Sequence, residues 1–256
     1  MIHATDSKNT YYLINQKKGI PIVLIHGVGL NLTIWEPQLD AFNNTVIAYD
    51  ILGHGNTSLD KSNINFDDFS NQLLNLIDNL NLKKIHLVGF SIGSLIARNF
   101  ACKFNERLQS LTLLCTIFKR SKEEQQVIND RFELAKKSNG FSRETLKRWF
   151  TDDYMKKNPE VCKKILSILS KNNIENFLKI YSLFVNHKDD EDFQKITTKT
   201  LVLTGEEDPG STPAMSKNLS KVIKNSKCVI AKGKHLCGIE HSDEVNKAIK
   251  DHIENV

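Results

Sequence analysis

Residues 85–93 read Ile85-His86-Leu87-Val88-Gly89-Phe90-Ser91-Ile92-Gly93, and an amphipathic stretch follows from Leu95. A short apolar run closed by two glycines, with a serine midway between them, predicts a buried strand that turns sharply into a helix. So tight a bend leaves the serine on a strained, exposed corner. The flanking glycines remove side chains that would clash there. The helix that follows aims its N-terminal amides at negative charge developing beside the serine oxygen. Ser91 is therefore the candidate nucleophile. The bare Gly-x-Ser-x-Gly pattern is common in proteins, and the strand before it and the helix after it give it meaning.

Outward from this stretch, similar apolar runs recur at 22–25, 46–49, 111–114, 201–203 and 228–230. Their apolarity is near-continuous instead of alternating, which predicts strands buried on both faces of a parallel sheet. Between them lie helical patterns. Residues 66–80 carry Phe66, Phe69, Leu73, Leu76, Ile77 and Leu80 as an i, i+3, i+4 stripe, and 94–104 and 245–253 behave alike. Alternating strands and helices predict an α/β fold, a mostly parallel doubly wound sheet with right-handed crossovers. Residues 11–14 predict a short strand at the sheet edge. From 121 to 190 there is no buried-strand pattern. Helices are predicted at 121–137, 142–150, 159–169 and 174–184, with Asn139-Gly140 as a turn. About 70 helical residues exceed one crossover connection. The expected division is a core of 1–120 and 191–256 with an inserted helical cap of 121–190. A helical layer with no part in function is the plainer alternative.

The 256 residues suffice for one large core, and 40% hydrophobic with 25% charged residues is ordinary for a globular chain. Net charge is +5, but the lysines are scattered, without the basic stripe and interleaved aromatics of a nucleic-acid binder. The excess leaves a mild bias toward anionic substrates. Cys102, Cys115, Cys162, Cys228 and Cys237 are odd in number and contain no C-x-x-C, so neither a zinc ribbon nor a disulfide framework is expected. Residues 1–10 are polar and unlike a signal peptide, and no window approaches the roughly 18 apolar residues that span a bilayer. The expectation is a cytoplasmic protein with neither membrane nor nucleic acid as partner, its oligomeric state open.

A nucleophilic serine needs a base, and the base an orienting acid. Ligands of such sheets gather beyond the carboxyl ends of the strands. After 201–203 comes Gly205-Glu206-Glu207-Asp208-Pro209, and after 228–230 comes Lys232-Gly233-Lys234-His235. Asp208 is favoured as acid over Glu206 and Glu207 because the Gly-x-x-Asp-Pro turn points its carboxylate inward. His235 is favoured as base over His241, which falls at the last helix and reads as a partly exposed surface residue. His86 sits in a strand and reads as packed; His3, His54, His187 and His252 lack comparable context. The oxyanion hole is expected from two backbone amides, those of Ile92 and Val28. Val28 lies in His26-Gly27-Val28-Gly29, whose glycines permit close backbone approach, and His26 is expected to brace that loop. A dinucleotide site is the rival reading of Gly27-Val28-Gly29, with Asp50 ending the next strand. The third glycine of its fingerprint is replaced by Leu32, so Asp50 reads as structural.

Taken together, His26-Gly27-Val28-Gly29, Asp50-x-x-Gly53-His54-Gly55, Gly89-x-Ser91-x-Gly93, Gly205-x-x-Asp208 and Gly233-x-His235 resemble, over nearly the whole chain, the α/β-hydrolase superfamily. Within it the chain is most similar to 3-oxoadipate enol-lactonases and small carboxylesterases. The stretches that carry this finer likeness are 26–35, 145–150 and 208–213. The resemblance implies a serine hydrolase acting on a small carboxylic ester or lactone through an acyl-enzyme, without metal or organic cofactor. Ser91, Asp208 and His235 would form its triad. C–C bond hydrolases share the framework, and a binding protein that keeps the triad with negligible turnover is the alternative of another class. Trp149, Phe150, Phe118, Tyr181 and Phe184, with Trp35 near the oxyanion loop, are candidates for the pocket wall. Arg120, Arg143 and Arg148 are candidates to pair a substrate carboxylate.

Overall fold

The computed structural model describes residues 1–137 and 144–256. Its eight strands form one sheet in the order β1-β2-β4-β3-β5-β6-β7-β8. They are β1 Ile2–Thr5, β2 Tyr11–Asn15, β3 Lys18–Ile25, β4 Asn44–Tyr49, β5 Ile85–Phe90, β6 Leu108–Leu114, β7 Thr200–Gly205 and β8 Ser226–Ala231. The pairings β1–β2 and β2–β4 are antiparallel and all others are parallel. The strand expected at the edge from 11–14 is therefore second in the sheet. β1 lies outside it, a short and largely exposed strand with no apolar signal of its own.

The central strands are apolar on both faces because both faces are covered. Val23 and Ile25 of β3 face one core cluster with Phe69, Leu73 and Ile77. Ile22 and Leu24 face the other with Trp35, Val245 and Ile249. The covering helices of the core are α1 Glu36–Leu39, α2 Phe66–Asn79, α3 Ile92–Lys103, α9 Pro213–Val222, α10 Cys237–Glu240 and α11 Ser242–Ile253. α2 starts where Asn65 and Asp68 form a reciprocal capping box. Between β6 and β7 come α4 Lys122–Lys137, α5 Glu144–Trp149, α6 Asp152–Lys157, α7 Pro159–Ser170 and α8 Ile174–Val185, a helical cap with no strand among the described residues. Asn139-Gly140 and Arg143 lie outside the described residues. No helix among the described residues is long and apolar enough to cross a membrane.

The β5–α3 bend is packed backbone against backbone. A Cβ on Gly89 would lie 2.2 Å from the Gly93 carbonyl oxygen, and one on Gly93 2.5 Å from that of Ile25. Gly93→Ala must push α3 off β3, and we expect a loss of about 1–3 kcal/mol, typical of overpacking. An unchanged urea midpoint would show that the bend has room to spare.

Both ends of the cap are held by one residue of α3. Arg98 is fully buried. Its Nη1 donates to the Ile117 carbonyl (2.9 Å) and its Nη2 to Asp189 Oδ1 and Glu191 Oε2 (2.7 Å each). The Lys119 amide donates to Asp189 Oδ2 at 2.7 Å, and His187 Nε2 lies 3.4 Å from Glu191. Segments entering and leaving the cap thus meet on a single guanidinium.

Candidate active site

Ser91 sits between β5 and α3 with φ 56° and ψ −120°, a left-handed conformation that strains any residue with a side chain. Its amide donates to the Leu114 carbonyl of the neighbouring strand (2.9 Å), and Ser94 Oγ donates to its carbonyl (2.5 Å). These bonds, with the close packing at Gly89 and Gly93, hold the strain in place.

Asp208 and His235 follow β7 and β8. Ser91 Oγ lies 3.2 Å from His235 Nε2, and His235 Nδ1 donates to Asp208 Oδ2 at 2.6 Å. The other carboxylate oxygen, Oδ1, accepts the amides of Gly210 (2.8 Å) and Ser211 (2.9 Å), which fixes the acid's orientation. Glu206 and Glu207 are exposed, while Asp208 is buried. Burial disfavours the His235 imidazolium, but the Asp208 carboxylate more than reverses this and holds the ring above the ordinary histidine value. The Cys115 thiol donates to the His235 carbonyl at 3.2 Å, and Phe90 packs against the ring at 4.9 Å between centroids. His241 lies at the start of α11, partly exposed, beside Glu240.

The loop after β3 passes directly over the serine, with the Gly27 Cβ position 3.2 Å from Ser91 Cβ. Two buried imidazoles brace it. His26 Nε2 accepts the Ile51 amide (3.1 Å) and its Nδ1 donates to the Gly27 carbonyl (2.8 Å). His54 Nε2 accepts the Gly29 amide at 2.8 Å. Burial pushes His26 down to about 3 and His54 down to about 4, so both are neutral and able to accept. Sequence reasoning gave His54 no role, because the contact joins residues 25 apart across two loops. Asp50 is structural, accepting Leu32 and Asn56 amides at 2.8 Å each. Asn172, between α7 and α8, donates to the Gly29 carbonyl at 2.7 Å and ties the cap to this loop. Among the described residues no hydrogen bond uses the N–H of Val28 or of Ile92. These two donors beside Ser91 are unspent.

Ser91, His235 and Val28 open into a cavity of about 240 Å³ under the cap. Trp149, Tyr181 and Phe184 line it. Trp35, Phe118 and Phe150 do not, contrary to expectation. Trp35 packs edge-on against Phe90 beneath the bend, Phe118 against Phe193, and Phe150 stacks on Tyr154. An aromatic at helical spacing serves a core or a cavity equally well, and the docking of the cap decides which. Arg120 and Arg148 reach the cavity, and so does Arg131 of α4, which the sequence did not single out.

A family model described as the alpha/beta hydrolase fold matches residues 20–242. Among curated relatives, an (E)-2-((N-methylformamido)methylene)succinate hydrolase of Acinetobacter baylyi is 26% identical over 97% of this chain and 95% of its own. The 3-oxoadipate enol-lactonase 2 of the same organism is 24% identical over 96% of this chain and 93% of its own. The solved enol-lactonase of Burkholderia xenovorans superposes with a TM-score of 0.85 at 24% identity, covering 99% of this chain and all of that one. With a mostly parallel sheet, a helical cap and a family match over most of its length, the chain belongs to the alpha/beta hydrolase fold family.

Proposed function

We propose that the protein is a serine hydrolase of small carboxylic esters or lactones. The observation that carries the reading is the continuous hydrogen-bonded line from Ser91 Oγ through His235 to Asp208, opening on a small, partly closed cavity. A relative named as an enol-lactonase supports lactone or ester hydrolysis, and one named as a hydrolase of an N-methylformamido-methylene succinate supports hydrolysis of a small organic substrate.

In this reading His235 Nε2 takes the Ser91 hydroxyl proton as Oγ attacks the carbonyl carbon. The Val28 and Ile92 amides receive the oxyanion, and α3 adds the field of its N-terminus. Asp208 fixes the His235 tautomer and stabilises the imidazolium. That imidazolium then protonates the leaving oxygen, and water, deprotonated by His235 in turn, releases the acid. Residues 121–190 act as the cap that shapes the acyl and alcohol sites, on a core of 1–120 and 191–256.

The test is hydrolysis of p-nitrophenyl acetate, butyrate and octanoate, a methyl ester and an enol-lactone, with and without an organophosphonate. Turnover that is lost as the phosphonate labels Ser91 supports the reading. A folded protein that cleaves none of them and leaves Ser91 unlabelled sinks it. A vinylogous 1,5-diketone cleaved where esters are not would point to C–C bond hydrolysis.

Because His235 must be neutral to act as base, activity falls as pH drops through its pKa. That limb of kcat/KM lies above 6.5, the ordinary histidine value. Asp208→Asn removes the charge that favours the imidazolium, so the limb moves down while kcat falls by about 10⁴-fold. A limb that stays where it was would mean Asp208 does not set the histidine's protonation.

A further inference from the structure

Three arginines face the cavity, and among the described residues none of them has an ion-pair partner. Arg120 is held by the Phe184 and Val185 carbonyls (3.1 Å each) and lies over the Phe184 ring, while its Nη2 is buried with no hydrogen-bond acceptor. Arg148 makes only bonds to its own helix, to Thr145 Oγ1 (3.1 Å) and the Glu144 carbonyl (3.4 Å). Among the described residues the Arg131 guanidinium makes no hydrogen bond, and its Nη1 comes 3.8 Å from the Gly210 Cβ position, beside the Asp208 turn. Arg131 is felt electrostatically by both Arg120 and Arg148, and all three act on Tyr181, so the three guanidiniums share one end of the cavity.

The same fold supplies the contrast. Where an arginine is buried for structure, at Arg98, two carboxylates meet it at 2.7 Å. The acids near the cavity make their hydrogen bonds elsewhere: Asp208 orients His235, and Glu124 and Glu123 accept from Ser121 at the start of α4. Asp189 and Glu124 act on Arg120, and Glu144 on Arg148, through space without an ion-pair contact among the described residues. Like charges gathered in a partly closed cavity oppose folding unless a ligand brings the counter-charge. Guanidinium groups are suited to grip carboxylates in pairs of parallel hydrogen bonds.

We infer that the cavity takes a dicarboxylate: an ester or lactone carrying two free carboxylates besides the scissile group, held among Arg120, Arg131 and Arg148. The cavity is smaller than the roughly 300–1,000 Å³ of drug-sized sites, so the substrate is short. The inference rests on the hydrolase reading for its chemistry, though the charge recognition is separable from it.

The experiment compares three methyl esters: methyl butyrate (neutral), monomethyl glutarate (monoanion) and a monomethyl ester of propane-1,2,3-tricarboxylic acid (dianion). We expect kcat/KM to rise about ten- to a hundredfold with each carboxylate, the worth of a hydrogen bond to a charged group. Arg131→Gln collapses the dianion-to-neutral ratio, and Arg131→Lys recovers only part of it. A neutral ester that is cleaved best, or a ratio indifferent to Arg131→Gln, overturns the inference and leaves the hydrolase reading standing. Binding is read independently of turnover in the Ser91→Ala variant. There glutarate and propane-1,2,3-tricarboxylate should raise the melting temperature, and Ser91→Ala/Arg131→Gln should lose the effect. That shift in a protein that cleaves no ester would instead keep the dicarboxylate site and discard the reaction. No shift together with no charge preference sinks the dicarboxylate site.

Discussion

Ser91→Ala lowers kcat on any cleaved ester by about 10⁴–10⁶-fold, the cost of removing a triad nucleophile. On the proposed mechanism, the residual rate comes from the Val28 and Ile92 amides and from binding, which the substitution leaves in place. KM therefore changes little. Stability changes little too, because alanine inherits the same left-handed backbone and loses only the bond to His235. Ser91→Gly separates the two effects. It is equally inactive, yet it relieves a strain of about 1–3 kcal/mol at φ 56°, less the entropy that glycine loses on folding. An inactive variant that is more stable than the wild type would show that the bend is maintained for chemistry. Full activity in Ser91→Ala would remove Ser91 from the reaction altogether.

Arg98→Ala destabilises the fold by about 3–5 kcal/mol, because it strands two carboxylates in a buried setting. For a chain of this size that is a fall of roughly 6–20 °C in melting temperature. The sign with pH is set by the carboxylates. Burial alone would raise Asp189 and Glu191, but the nearby His187 and the charge of Arg98 hold both below the ordinary range. In the wild type this stability is present above the unfolded carboxylate values and is lost as pH falls through the folded ones. In the variant burial is still opposed by His187 and, at Asp189, by the Lys119 amide, but no longer by Arg98, so the acids are costlier at high pH and protonate more readily on acidification. The deficit is thus larger at pH 8 than at pH 5, where His187, itself held above the usual value, is also charged. Arg98→Met/Asp189→Asn/Glu191→Gln should be more stable than Arg98→Met alone, since it leaves no orphaned charge. If the single and triple variants melt together, the pairing does not hold the cap. KM should rise in Arg98→Ala, since the cavity wall hangs from these hinges.

What the sequence revealed follows from how local each signal is. β3, β5, β6 and β7 announce themselves because a strand buried on both faces is apolar throughout. The bend at Ser91 and the turns carrying Asp208 and His235 are written in four or five consecutive residues. β1 was silent because an exposed strand pairing on one side needs no apolar pattern. α6 was missed because none of its residues is buried. Arg98 looked like any helix arginine, since its acids lie more than 90 residues away. Arg131 and the fate of Trp35, Phe118 and Phe150 depend on how the cap docks, which a period of 3.6 does not encode. The positions of Ser91, Asp208 and His235 were thus legible, and the shape and charge of the chamber around them were not.

His235 hangs from the strand at the sheet margin. β8 pairs only with β7, and it is half-buried where its neighbours are fully buried, while Ser91 and its amides stand at the centre. Edge elements open before the interior does. On gentle heating or in dilute urea, then, catalysis should disappear ahead of any spectroscopic sign of unfolding, and return on dilution. The protein would lose its proposed base while its proposed nucleophile remained in place.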